Sequence, residues 1–128
     1  MATHNNLRFR AFQAVLALML MVGLLGVSIQ PAQAAVPIPT FSITAVVKDT
    51  SVTIKTANFP ANKTFTARMG LIGTKAIGGI VVGTFNSGAG GVLTLTFNIP
   101  AALKGQARIA IRADASGGFN SYGWFWNN

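Results

Sequence analysis

The chain has 128 residues with ten Lys or Arg, two Asp, no Glu, no Cys and one His, for a formal net charge of +8. Absence of cysteine excludes disulfide staples, thiol chemistry and thiolate metal sites. The single histidine, His4, lies near the N-terminus, so the chain beyond it offers no His, Cys or Glu for proton transfer near neutral pH.

Residues 1–34 read as a secretory leader. Arg8 and Arg10 form a basic start, an apolar run follows from about Ala14 to Val27, and Pro31 breaks it. Ala32-Gln33-Ala34 is the small-x-small pattern that a signal peptidase accepts, which predicts cleavage between Ala34 and Ala35. The other reading is an uncleaved anchor, although the apolar run is short against the roughly 20 residues of a membrane span. Arg8-Phe9-Arg10 is not a twin-arginine pair, so the general secretion route is favoured. The predicted location is therefore extracellular or periplasmic, in an oxidising compartment whose disulfides this chain does not use. After cleavage 94 residues remain, with eight basic residues, two acids and a charge of +6. That field predicts salt-sensitive attraction to anionic polymers or surfaces. Its bland counterpart is that the charge keeps an apolar protein in solution.

A short extended segment, residues 35–39, leads into a domain at 40–128. β-Branched and aromatic residues there alternate with polar ones, the period-two signature of half-buried strands. Strands are predicted near 40–47, 51–57, 63–69, 77–85, 92–98, 105–113 and 119–126. Turn residues separate them: Lys48-Asp49-Thr50, Asn58 to Asn62, Gly70 to Gly73, Asn86 to Gly91 and Ser116-Gly117-Gly118. Pro100 to Lys104 is one helical turn, with Pro100 at its first position and Gly105 closing it. No segment is long enough for a crossover helix. The prediction is an all-β fold: a single seven-stranded antiparallel sandwich following an N-terminal signal helix.

Three stretches resemble bacterial extracellular immunoglobulin-like or fibronectin-III-like modules. Asn58-Phe59-Pro60-Ala61-Asn62-Lys63-Thr64-Phe65-Thr66 is similar to the passage between their second and third strands. Gly91-Val92-Leu93-Thr94-Leu95-Thr96-Phe97-Asn98-Ile99-Pro100 is similar to the strand that precedes a short crossover, and Lys104-Gly105 to Ile111 to the strand after it. The resemblance implies an immunoglobulin-like β-sandwich that works in adhesion, carbohydrate contact or spacing, with no shared catalytic residues. The chain departs from antibody-type domains in lacking both core cysteines.

Chemistry-bearing groups are sparse. Asp49 and Asp114 are expected in separate loops, after the first and sixth strands, each shaping a turn. A glycosidase pair would need them ~5–9.5 Å apart. Two acids are too few for a tight calcium cage, and nothing marks a Ser-Lys dyad. Gly73-Thr74-Lys75 lacks the order of a phosphate loop and reads as a turn. Asn62-Lys63-Thr64 is a glycosylation sequon, meaningful in a host that uses one. An enzyme is not expected, and neither cofactor nor metal is implied.

One constellation stands out. On the last strand Tyr122, Trp124 and Trp126 point one way at spacing two, while Phe119 and Phe125 point the other. On the sixth, Ala107, Ile109 and Ile111 read as inward and Arg108 and Arg112 as outward. On the third, Phe65, Ala67 and Met69 read inward and Arg68 outward. Two assignments are open. With Phe119 and Phe125 inward, Tyr122, Trp124 and Trp126 join Arg68, Arg108 and Arg112 on a flat aromatic and cationic face. That face suits an anionic polysaccharide or cell-envelope polymer. With Trp124 and Trp126 inward, the indoles fill the core and the arginines are only a solvated face.

The functional expectation is a secreted, non-catalytic binding module for such an anionic glycan or envelope surface. The alternative is a structural or self-assembling extracellular protein, pairing edge to edge through apolar strands such as Ile80-Val81-Val82. A cationic toxin lacks the usual basic amphipathic helix. Nucleic-acid binding, which also uses basic and aromatic strands, is disfavoured by export.

Overall fold

A computed structural model of the chain describes residues 37–128. The leader, the cleavage residues Ala32, Ala34 and Ala35, and Val36 lie outside the described residues. Alternation of apolar and polar residues gives seven strands: β1 (Thr40–Val47), β2 (Ser51–Ala57), β3 (Thr64–Leu71), β4 (Ile80–Asn86), β5 (Thr94–Asn98), β6 (Arg108–Ala115) and β7 (Asn120–Trp126). They form two antiparallel sheets, ordered β1-β2-β5 and β4-β3-β6-β7. The third, sixth and seventh strands thus share one sheet and the first, second and fifth the other, as in immunoglobulin-like sandwiches.

The alternation dictates the core. Val52, Ile54 and Phe97 come from one sheet, and Ala67, Met69, Ile109, Ile111 and Phe125 from the other. At one end Phe65 stacks on Phe85 with ring centroids 5.4 Å apart, and Phe59 leans on Phe65 at 4.7 Å. Pro100 caps a 3-10 turn (Ala101–Leu103) from outside, rather than opening it, and the turn buries Leu103.

β1 and β2 begin and end where the alternation places them, and β5 and β7 end there too, but the remaining strand ends shift for local reasons. β4 starts at Ile80 instead of 77, because Lys75, Ala76 and Gly78 take positive φ and close successive turns. β5 starts at Thr94 instead of 92, after Gly90 and Gly91 at positive φ. A Cβ on Gly90 would sit 2.5 Å from the Phe59 carbonyl oxygen, so only glycine fits there. β6 runs from Arg108 to Ala115 rather than 105–113. Ala107 is therefore an exposed residue ahead of the strand, not an inward one. The later end of β6 also places Asp114 inside the strand, not in a loop.

Asp49 does sit in a turn, with φ of 55°. Its backbone N–H donates to Asn127 Oδ1 at 2.7 Å, and Asn127 Nδ2 donates back to Asp49 Oδ1 at 2.7 Å and to the Gln106 carbonyl at 3.0 Å. The Gly105 N–H adds a bond to the same carboxylate at 2.8 Å. This clamp ties the β1–β2 turn, the approach to β6 and the residue after β7 together. The Gly105 N–H first, and the Asn127 amide second, hold the Asp49 carboxyl below its ordinary range.

Asn127→Ala is expected to cost about 1–3 kcal/mol, since it strands polar groups at a buried position. Thermal denaturation checks this, with a fall in Tm of roughly 4–8 °C per kcal/mol. Because the folded-state pKa of Asp49 is lowered, its contribution is present above the unfolded value of about 3.9 and lost as pH falls through the folded value. Asp49→Asn should therefore flatten the acid limb of the wild-type stability curve, measured as Tm against pH.

Candidate functional site

The register of β6 and β7 builds the site. Arg108 pairs with Trp126, Ala110 with Trp124 and Arg112 with Tyr122. On the other side of β6, Arg112 pairs with Arg68 of β3. Phe125 turns inward and is 3% exposed, while Tyr122, Trp124 and Trp126 are 49, 47 and 54% exposed. Phe119 is half-buried against Phe59, Phe65 and Ala113. Gly123 faces Phe41 of β1, where an added Cβ would lie 3.5 Å from the ring. Of the two assignments open in the sequence, the one with outward indoles therefore holds. The structure brings all six sequence-predicted residues onto one face of the larger sheet.

The six are not equivalent. Arg112 is only 15% exposed, and its Nε donates to both Asp114 oxygens, at 2.7 and 2.9 Å. Its guanidinium also lies 5.6 Å from the Tyr122 ring centroid. Arg112 thus has its charge matched and fixes Tyr122. Arg68 stands 3.9 Å from the same carboxylate. Arg108 differs: its guanidinium lies 5.8 Å from the Trp124 ring and 5.4 Å from the Trp126 ring. The two indoles meet edge to face at 5.7 Å and 75°. Such an exposed cation–π contact contributes about 0.5–1 kcal/mol. Among the described residues Arg108 has no carboxylate partner.

Two contributors escape sequence reasoning. The β3–β4 loop folds back so that Lys75 Nζ stands 5.2 Å above the Tyr122 ring. Ala110, buried beneath this surface, floors a pocket of about 470 Å³ whose walls are Tyr122, Trp124, Ile72 and Gly73, with Lys75 also lining it. Lys75 and Ala76 reach this loop conformation at φ of 55° and 53°, values uncommon without glycine. No sequence signal announces them. Ala110 was legible only as an outward position on β6, not as a floor.

The face therefore carries four cations (Arg68, Lys75, Arg108 and Arg112) against one carboxylate, and three half-exposed aromatic rings. It can hold a ligand that is both anionic and able to pack against ring faces. The two aspartates cannot act as a pair. Asp49 binds Gly105 ahead of β6, whereas Asp114 lies six residues into that strand, about 20 Å further along. Paired glycosidase carboxylates stand ~5–9.5 Å apart. No helix among the described residues is long and apolar enough to cross a membrane.

No family model matches the chain, and no curated protein matches it. A solved structure, the archaellum periplasmic stator protein complex FlaF and FlaG from Sulfolobus acidocaldarius, aligns with a TM-score of 0.49 and 15% identity. The alignment covers 77% of this chain and 96% of that one. A likeness this slight assigns neither function nor partner.

The exposure of both indoles predicts red-shifted tryptophan emission that acrylamide quenches readily. The single-tryptophan variants Trp124→Phe and Trp126→Phe should each keep that behaviour. Blue-shifted, shielded emission from either one would contradict the outward register.

Proposed function

We propose that this protein is an exported, non-catalytic binding module whose working surface is the outer face of β3, β6 and β7. Its ligand is an anionic glycan or another anionic polymer of the cell envelope. The observation that carries this reading is Arg108, which lies against two half-exposed indoles and has no acidic partner among the described residues. The rings attract the guanidinium without neutralising it, so its charge stays available to an anion. Ring faces beside it offer apolar contact to a sugar. Export, with cleavage between Ala34 and Ala35, places such a surface where envelope polymers are met. Basic and aromatic surfaces also suit nucleic acid, but that ligand does not fit an exported chain.

Affinity chromatography or calorimetry with polygalacturonate, dextran sulfate and neutral dextran tests the proposal. Both polyanions should bind, neutral dextran should not, and binding should weaken as salt rises. Arg108→Ala and Trp124→Ala should each weaken binding by about five- to tenfold, with Tm falling by no more than roughly 8 °C and the fold intact. Equal binding of all three polymers, or indifference to both substitutions, would overturn it.

A second reading, self-assembly, is favoured by one observation. β4 is a terminal strand, and Leu71, Ile77, Ile80 and Val81 around it are all exposed. No charged residue lies between Ala76 and Asn86 to guard this edge. Its ladder is interrupted, however: Ala67 pairs with Gly83 and Arg68 with Val81, so Val82 bulges. Oligomers that grow with concentration in a sizing experiment, and disperse with Val81→Lys, would support this reading. A monomer at high concentration would remove it.

A further inference from the structure

We propose that the pocket between Tyr122 and Trp124 is a subsite for one carboxylated six-membered sugar ring, a uronate, with Lys75 receiving the carboxylate. The inference rests on the face being the ligand surface. It goes further by naming where on the face one unit of the polymer sits and which acidic group is read.

Three features carry it. The first is shape. Tyr122 and Trp124 follow one another on the same side of β7, and across the sheet Trp124 is opposed by Ala110. A large residue at 110 would fill the space between the rings. The methyl group leaves a hollow of about 470 Å³, open at the top and within the range of small-ligand sites. The second is the lining. Apart from Lys75, the Tyr122 hydroxyl and the Trp124 indole N–H, the side chains around the hollow are apolar. The C–H faces of a pyranose ring carry partial positive charge and pack against the negative faces of aromatic rings. The ring's hydroxyls stay at the open side, in water.

The third is charge. Sulfate and phosphate groups are typically recognised by guanidinium forks or clustered backbone N–H groups. The nearest guanidinium to Tyr122 is Arg112, which pairs with Asp114 through Nε and does not line the hollow. What remains at the pocket is one ammonium, Lys75, on an exposed loop. Lys75 offers one point charge for one anionic substituent, and a uronate carries a single carboxylate on the ring itself. Lys75 now rests above the Tyr122 ring at 5.2 Å, a weak contact that an incoming carboxylate can replace or share.

The test uses the purified protein, a short galacturonate oligomer, its methyl ester and a sulfated dextran oligomer of similar length, all by calorimetry at low salt. The galacturonate oligomer should bind, and the methyl ester and the sulfated oligomer should each bind roughly tenfold more weakly, the effect of losing one charge-assisted hydrogen bond. Lys75→Gln should reduce galacturonate binding by a similar factor and narrow the gap between the acid and the ester. Ala110→Leu fills the hollow and should abolish binding of the oligomer. Should that variant fail to fold, Lys75→Gln, a change on the exposed loop, still decides the matter. Wild-type binding that neither substitution alters, or equal affinity for acid and ester, overturns the subsite while leaving the wider face intact. Tighter binding of the sulfated oligomer overturns the choice of carboxylate. A wild-type protein that binds none of these oligomers and no long polyanion overturns the face reading itself.

Discussion

Everything on the outer face depends on which way Phe125 points. In a strand, neighbours alternate sides, so a slip of one residue exchanges the whole set. β7 carries aromatics on both sides, and burial chooses between them. Phe125 enters the main core with Ile109 and Ile111 and is almost completely covered. Removing such a ring from water is worth about 1.5–3 kcal/mol. Gly123 sits inward beside it, where an added Cβ would already touch the Phe41 ring. Once Phe125 and Gly123 are inside, Tyr122, Trp124 and Trp126 have only the solvent side.

That constraint sets the register of cations against rings. Arg108 and Arg112 alternate with the buried Ile109 and Ile111 on β6, so they must emerge on the same side as the indoles. Each arginine then faces an aromatic partner directly across the strand pair, the position where cross-strand side chains interact most closely. Ala110, between the two arginines, is the one small residue in that row. The pocket is therefore not a separate feature added to the sheet. It is the gap left where the pattern Arg-x-Ala-x-Arg meets Tyr-x-Trp-x-Trp.

The fold was largely legible because its signal is local. Seven strands and their turns follow from period-two alternation and from the position of Gly, Asn and Pro. The outward arginines on β3 and β6 were equally readable. The facing of β7 was not, because aromatics occupy both of its sides and hydrophobicity alone is silent about them. It is decided by Phe125 packing with Ile109 and Ile111 in the assembled core. Ala107 was misplaced because β6 pairs with β7 only from Arg108 onward, opposite Trp126. Asp114 was misplaced because the last pairing of β6 is closed by Phe119 beyond the turn. Lys75 reaches the site only through positive φ at a non-glycine residue, which no propensity foretells.

The two carboxylates complete the physical picture. Asp49 is spent on the clamp with Asn127 and Gly105, where it holds three chain segments together. Asp114 is spent on Arg112, turning one of the four cations of the face into a fixed support for Tyr122. Neither is left to neutralise Arg108 or Lys75. The aromatic rings hold those two cations by weak contacts that leave their charge uncancelled, because a ring quadrupole attracts a cation without neutralising it. The positive field of the face is therefore a consequence of where the only two acids are needed for the fold. A chain with so few acids can keep its cationic surface open by committing each of them elsewhere.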